Sequence, residues 1–337
     1  MNGVYRLLRY NRIVKNHRIK FATLLAADIL GFRYLSVRID PVIDCNIRCQ
    51  MCRFSNEDWR KSNYAILKKE EVDRIAEMLF PKAVQLVIGC EAEPTLYKNY
   101  IDILATGKKY GIPYVSFVTN AQLLKEEHVD RMITHKLDEL VISTHGVKKE
   151  TYEKLMVGAS FDKLLKALET IESVKKRRNS AIPILRINYT VNQENLDELK
   201  GFFAVFGRYD AKVLQVRPIV DLGNIAYPHK DLSNTLSEYG KIIGQLAAEC
   251  KQRGLIFLAN TADPTFSSAS PAASISDEVL RYVSPRRFWK DDFDWRNESY
   301  KAYCRRIGWR WHLIKATLMS ARDVNKWNTR MAYDIHL

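Results

Sequence analysis

RIDPVIDCNIRCQMCRFSN, residues 38–56, holds three of the chain's six cysteines, Cys45, Cys49 and Cys52, in a C-x3-C-x2-C spacing. An apolar, β-rich run, YLSVRIDP at 34–41, leads into them. Three thiolates on one short loop can converge on a single metal centre. A structural zinc site needs a fourth ligand, usually from a second paired-cysteine motif. None exists here, because Cys90, Cys250 and Cys304 are scattered. Three thiolates instead suit a [4Fe–4S] cluster with one iron open to another ligand. The loop follows a strand, and in a β/α barrel the C-terminal ends of the strands form the catalytic face.

The rest of the chain fits that frame. Apolar, β-rich runs recur at 84–90, 114–120, 139–145, 183–191 and 212–220, with helical patterns at 70–80, 97–111 and 162–174 between them. Strands alternating with helices imply a parallel sheet with right-handed crossovers. Six such units predict a partial (β/α)6 barrel, although a doubly wound open sheet has the same periodicity. LIFLAN at 255–260 reads as one more strand. A Ser, Ala and Pro-rich loop follows, TADPTFSSASPAASISD. Segment 286–337 then carries twelve Lys/Arg against six Asp/Glu, and five of the six tryptophans, which need burial or a ligand. The expected organisation is a basic helical extension at 1–34, the barrel at 35–260 and a basic, Trp-rich, α-rich lid at 261–337.

Composition narrows the class. The 337 residues are 47% hydrophobic and 27% charged, an ordinary globular balance with enough chain for a large core. Six unevenly spread cysteines exclude a secreted disulfide scaffold and fit a reducing cytosol. A net charge of +14 favours anionic partners: nucleic acid, phosphorylated substrates or an acidic membrane surface. No apolar run reaches the roughly 20 residues a bilayer requires. The nearest, FATLLAADILGF at 21–32, contains Asp28, and no small-residue cleavage site follows it. The expected location is cytoplasmic, with membrane association open. Arg6, Arg9, Arg12, Lys15 and Arg18 recur every three residues among Leu7, Leu8, Ile13 and Val14. That pattern makes one helix side basic, either a solvated face or an interfacial helix for anionic lipid.

On these motifs the chain resembles the radical S-adenosylmethionine (radical SAM) enzymes over about residues 35–220. The three-cysteine motif after a first strand is the specific element. GCEAEPTLY (89–97) resembles the family's Gly-Gly-Glu-Pro stretch, VTN (118–120) its Thr-Asn, and ISTHGVKKETYEKL (142–155) its Ser-x-Asp-Gly block. Three departures stand out. Met51 replaces the aromatic residue usual before the third cysteine, Cys90, Glu91 and Ala92 stretch the second motif, and His145 replaces an Asp.

The resemblance implies one [4Fe–4S] cluster on Cys45, Cys49 and Cys52, with S-adenosyl-L-methionine on the open iron. Reductive cleavage of that cofactor would give a 5′-deoxyadenosyl radical that takes a hydrogen atom from an organic substrate, whether peptide, glycan or lipid-linked. The electron would come from a donor such as flavodoxin or ferredoxin. Met51 would pack on adenine, Glu93 would accept from the cofactor's ammonium, and Lys154 would pair with its carboxylate. Asn120, Ser143 and Asn188 would hold its carboxylate or ribose. His145 is a candidate substrate acid or base, and Cys304 a candidate hydrogen-atom donor. Arg217, late in the sixth run, would bind a carboxylate or phosphate if it faces the mouth. Two rival readings keep the cysteines but change the function. One is an RNA-modifying radical SAM enzyme, with tryptophans stacking on unpaired bases. The other is a non-catalytic iron–sulfur protein that binds or senses.

Overall fold

The computed structural model describes residues 13–219, 225–228, 232, 235–259, 275–290 and 292–325. The basic residues Arg6, Arg9 and Arg12, most of the Ser/Ala/Pro loop and Trp327 lie outside them.

Eight parallel strands form one sheet: β1 Leu35–Ile39, β2 Ala83–Ile88, β3 Tyr114–Thr119, β4 Glu139–Thr144, β5 Ile184–Val191, β6 Ala211–Pro218, β7 Ile256–Ala259 and β8 Leu280–Val283. Their spatial order is β8-β1-β2-β3-β4-β5-β6-β7. The six expected strands therefore sit side by side in chain order, as successive crossovers of one hand require. β7 extends the far edge. β8 comes from the segment expected to be a lid, and it pairs with β1 from Ser36↔Leu280 to Ile39↔Val283. The two edge strands do not pair, so the barrel is partial.

Alternation along each strand assigns its faces. On β1, Leu35, Val37 and Ile39 are fully buried under the outer helices, while Ser36 and Arg38 face the interior. The helices supply the matching stripe. Lys69–Leu79 buries Val72, Ile75, Ala76 and Leu79, and Phe161–Arg177 buries Leu164, Leu168 and Ile171. Each Val, Leu or Ile so buried contributes about 1.5–3 kcal/mol. At the strand starts the interior is plugged by Tyr114, Val213 and Leu258. The open space therefore lies toward the strand ends.

The C-terminal segment is α-rich, but its helices Tyr300–Arg306 and Trp309–Leu318 do not lie over the cysteine loop. Trp309 stacks on Tyr34 with ring centroids 5.4 Å apart. Tyr34 immediately precedes β1, at the opposite end of the strands from the cysteines. Helix Trp309–Leu318 runs antiparallel to helix His17–Ile29, with Arg310 on Asp28 at one end and His17 against the Met319 carbonyl at the other. Trp289, Trp295 and Trp309 are buried, and the first two belong to an aromatic cluster with Phe288, Phe293, Tyr300 and Tyr303. Buried Arg281 lies over Trp289 and Tyr300 and is hydrogen-bonded to the Tyr300 hydroxyl. These tryptophans are in the core, out of reach of a nucleic-acid base.

Candidate active site

The cysteine loop leaves β1 and is tied down on both sides. Arg48–Cys49 pairs antiparallel with Met156–Val157, and Gln50 donates from its backbone to the Leu155 carbonyl. The Gln50 amide also donates to the Lys154 carbonyl at 2.8 Å. Arg48 Nη1 donates to the Cys45 carbonyl at 2.5 Å, and Asp44 Oδ1 accepts from the Cys45 N–H at 2.8 Å. Arg60 holds Asp44 in turn, at 3.0 Å. What lies over the loop is the chain after β6: Tyr227 N donates to the Gln50 carbonyl and Ala226 N to Ser55 Oγ, both at 3.0 Å.

Cys45, Cys49 and Cys52 are close enough to feel one another's charge. Burial, together with the negative charge of neighbouring groups, pushes the Cys45 thiol up to about 12, and Cys49 and Cys52 also rise, chiefly through burial. Three ionised thiols in this setting need a cationic partner. Yet among the described residues no three His, Cys, Asp or Glu side chains converge tightly enough to hold a single ion. Three neighbouring thiols on one loop, with no second paired-cysteine motif to complete a tetrahedron, fit a multi-iron cluster better than structural zinc.

Above the loop, Asn120 at the end of β3 donates from Nδ2 to Asn46 Oδ1 at 2.8 Å and lies 3.6 Å from Cys45 Sγ. Its backbone N–H donates to Glu93 Oε2 at 2.8 Å. Buried Glu93 accepts three more bonds on Oε1, from Thr95 N, Thr95 Oγ1 and Thr119 Oγ1. Burial raises its pKa, against these hydrogen bonds. Glu93 thus stitches the loop after β2 to the end of β3, and one lone pair of Oε2 remains for a cation. Gly89 makes the approach possible. It has φ +83°, and a Cβ there would sit 2.5 Å from the Val118 carbonyl and 2.7 Å from Pro94.

Met51 is buried against Leu155, Ile219 and Tyr227, and its Sδ accepts from Asn192 Nδ2 at 2.9 Å. Ser143 and Asn188 are register partners on β4 and β5. Asn188 Oδ1 accepts from Arg186 Nε at 2.9 Å, within an interior network that includes Gln215 and Glu139. Lys154 pairs with Glu194 at the surface. His145, at the end of β4, has its Nδ1 shut off from solvent without a partner. Burial lowers its pKa to about 4, a hydrogen bond to the Thr190 backbone offsetting only part of the effect. It is therefore neutral at pH 7. Cys304 is not brought to this site. It lines a cavity with Tyr34, Pro81 and Lys82, at the strand starts.

Three residues that sequence motifs did not flag hold the site together. Asp40, fully buried at the end of β1, accepts from the backbone N–H groups of Cys90 (2.7 Å), Glu91 (3.0 Å) and Ala92 (3.4 Å), and from the Tyr282 hydroxyl (2.9 Å). Burial pushes its pKa up to about 6. The stretched second motif is thus wrapped around a carboxylate. Asn195 donates to the carbonyls of His145 and Thr190, and Asn192 pins Met51. An acid ending a strand and an Asn-x-x-Asn turn were visible signals, but their partners are distant in sequence. Finally, Arg38 on β1 and Arg217 on β6 are exposed although their strands have neighbours on both sides. The thiol of Cys90, raised by burial and by Asp40, feels both cations. Both therefore face the same interior space.

Known proteins match this architecture. Residues 40–202 match the model of the radical SAM superfamily. A protein of Saccharolobus solfataricus named probable GTP 3′,8-cyclase is 28% identical over 220 residues, spanning 63% of this chain and 66% of its own length. One of the same name from Sulfolobus acidocaldarius is 27% identical over 227 residues, 66% of this chain and 67% of its own. The fold is similar to that of Streptococcus suis SuiB, solved bound to S-adenosylmethionine, with a TM-score of 0.61, 18% identity and coverage of 82% of this chain and 64% of that one. Native anSMEcpe, solved with bound AdoMet, gives a TM-score of 0.59 at 18% identity and 80% coverage of both chains.

Proposed function

Since residues 40–202 form a radical SAM domain, we propose that this chain reductively cleaves S-adenosylmethionine and uses the resulting radical to take a hydrogen atom from an anionic organic substrate. Cys45, Cys49 and Cys52 would hold a [4Fe–4S] cluster, which, reduced by a flavodoxin- or ferredoxin-like donor, would supply the electron that splits the cofactor into methionine and the 5′-deoxyadenosyl radical. The other steps belong to the polypeptide. Ala226 and Tyr227, bonded to the loop, keep water from it, and Met51, clamped by Asn192, offers an apolar thioether to the adenine. Glu93 Oε2 takes the cofactor's ammonium in a charge-assisted bond of about 1.5–3 kcal/mol. Asn120 fixes the height of Cys45 relative to Glu93. Ser143 contributes a hydroxyl to the cofactor's ribose or carboxylate.

The substrate class rests on one observation: Arg38 on β1 and Arg217 on β6 are both exposed and face one interior space of the barrel. A guanidinium pair suits a carboxylate or phosphate held bidentately. His145, neutral at pH 7 and with its Nδ1 shut off from solvent, is too weak a base for proton abstraction. A nucleoside triphosphate belongs to this anion class, and GTP is in the name of the Saccharolobus and Sulfolobus relatives.

The test is anaerobic reconstitution with iron and sulfide, then S-adenosylmethionine and dithionite, with mass spectrometry for 5′-deoxyadenosine. The nucleoside should form in the wild type and be absent in Cys49→Ala. Zinc in place of iron and sulfide, or no nucleoside from a fully loaded cluster, overturns the reading. Adding candidate anions, GTP among them, should raise the yield in the wild type and not in Arg38→Met.

A further inference from the structure

The two helices at the strand starts carry an unusual surface. A helix packed on a sheet normally turns charge to water. Helix Phe161–Arg177 does so, exposing Asp162, Lys163, Lys166, Glu169 and Lys176. Helix His17–Ile29 does not. Its exposed positions after Arg18 are Ile19, Ala22, Thr23, Ala26 and Ile29, a stripe at helical spacing with no charge in it. The stripe continues past the helix end: Ile29 is 60% exposed, Leu30 67% and Phe32 62%. On the neighbouring antiparallel helix Trp309–Leu318, Trp311 is 59% and Leu318 73% exposed, and Ile307 just before it is 40% exposed. Apolar residues on this scale and this close together are not scatter; they mark an interaction surface.

Charge identifies the partner. Residues 300–322 contain six Lys/Arg and no Asp or Glu. Lys301, Arg305, Lys315 and Arg322 are exposed around the apolar stripe, and Lys15 and Arg18 flank its other end. The single acid on the first helix, Asp28, is already bound to Arg310 and Lys82. Two copies of this face would set like charges against each other. A nucleic acid would satisfy the cations but leave Ile19, Ile29, Leu30 and Leu318 in water. An anionic bilayer satisfies both, with aliphatic groups at the acyl boundary, Trp311 at headgroup depth and the cations on the phosphates. No described helix is long and apolar enough to cross a membrane, so the contact is peripheral.

We propose that the face built by helices His17–Ile29 and Trp309–Leu318 docks this protein on an anionic lipid surface. Docking through the strand starts points the strand ends, and with them the cysteine loop, away from the bilayer. The barrel then receives its substrate from the aqueous side. This inference does not depend on the chemistry proposed for the barrel.

The experiment is flotation of the full chain with phosphatidylcholine vesicles, with and without phosphatidylglycerol. The wild type should float with the anionic vesicles, stay behind with the neutral ones, and detach as salt is raised. Leu30→Glu/Phe32→Glu changes only exposed positions. It should keep the wild-type melting temperature and lose at least tenfold in vesicle binding. Lys301→Ala should lose about fivefold, the effect of one cation near the surface. The proposal is overturned if the wild type ignores anionic vesicles, or if the double variant binds them equally. It is also overturned if the double variant instead abolishes a concentration-dependent dimer, or if the face binds RNA in preference to lipid.

Discussion

Replacing Asp40 with Asn should change how stability depends on pH by an amount the structure sets. The carboxylate is fully buried, and only N–H groups and a hydroxyl face it. Burial outweighs those bonds and raises its pKa to about 6 from the ordinary 3.8. A raised carboxyl pKa means that the folded state holds its proton longer than the unfolded chain does. Its contribution to stability is therefore fully present below pH 3.8 and is lost as the pH climbs through about 6. Between pH 5 and pH 7 that loss is about 1.3 kcal/mol. Asn cannot titrate, so the variant lacks this slope. It carries a separate, pH-independent cost. Its amide nitrogen would face the Glu91 N–H in place of Oδ2, a donor against a donor, at about 1–3 kcal/mol. Urea denaturation of both proteins at pH 5, 6 and 7 measures the two effects separately. The wild-type advantage should be larger at pH 5 than at pH 7 by about 1 kcal/mol. Parallel stability curves would show that Asp40 ionises normally, and that the backbone N–H groups fully offset its burial.

Further outcomes follow from the same geometry. Gly89→Ala should destabilise the fold by about 2–4 kcal/mol, measured by thermal denaturation, because the new Cβ meets the Val118 carbonyl at 2.5 Å at a positive φ. Asn120→Ala removes the bond to Asn46 beside Cys45. It should leave the cluster bound but slow 5′-deoxyadenosine formation about tenfold, a loss of ~1.4 kcal/mol in positioning, read by single-turnover quench. Arg38→Met should raise the KM for an anionic substrate by tenfold or more. Its substrate-free cleavage of S-adenosylmethionine should be unchanged, because the guanidinium serves the substrate and not the cluster.

The cysteine spacing, the alternation of runs and the turn residues carried the barrel, because each is a local property written over a few consecutive positions. Strand periodicity placed all six inner strands within a few residues of their observed limits. β8 was not legible: LRYV is four residues long, and its stability comes from pairing with β1, about 240 positions away in sequence. The same limit hid Asp40, whose four donors lie 50 or more residues downstream.

What the sequence determined by itself is the thiol triad, the parallel β/α order and the excess of positive charge. What only the tertiary structure decided is which groups meet. It fastened Glu93 to Thr119 and Asn120, and turned Arg38 and Arg217 into one space. It put Trp309 at the strand starts, away from the cysteines, and gathered Trp289 and Trp295 into a buried aromatic cluster. The physical reason is that hydrogen bonding and burial depend on distance in space. Two side chains a hundred residues apart acquire a shared environment only once the sheet has curved and brought the ends of its strands together.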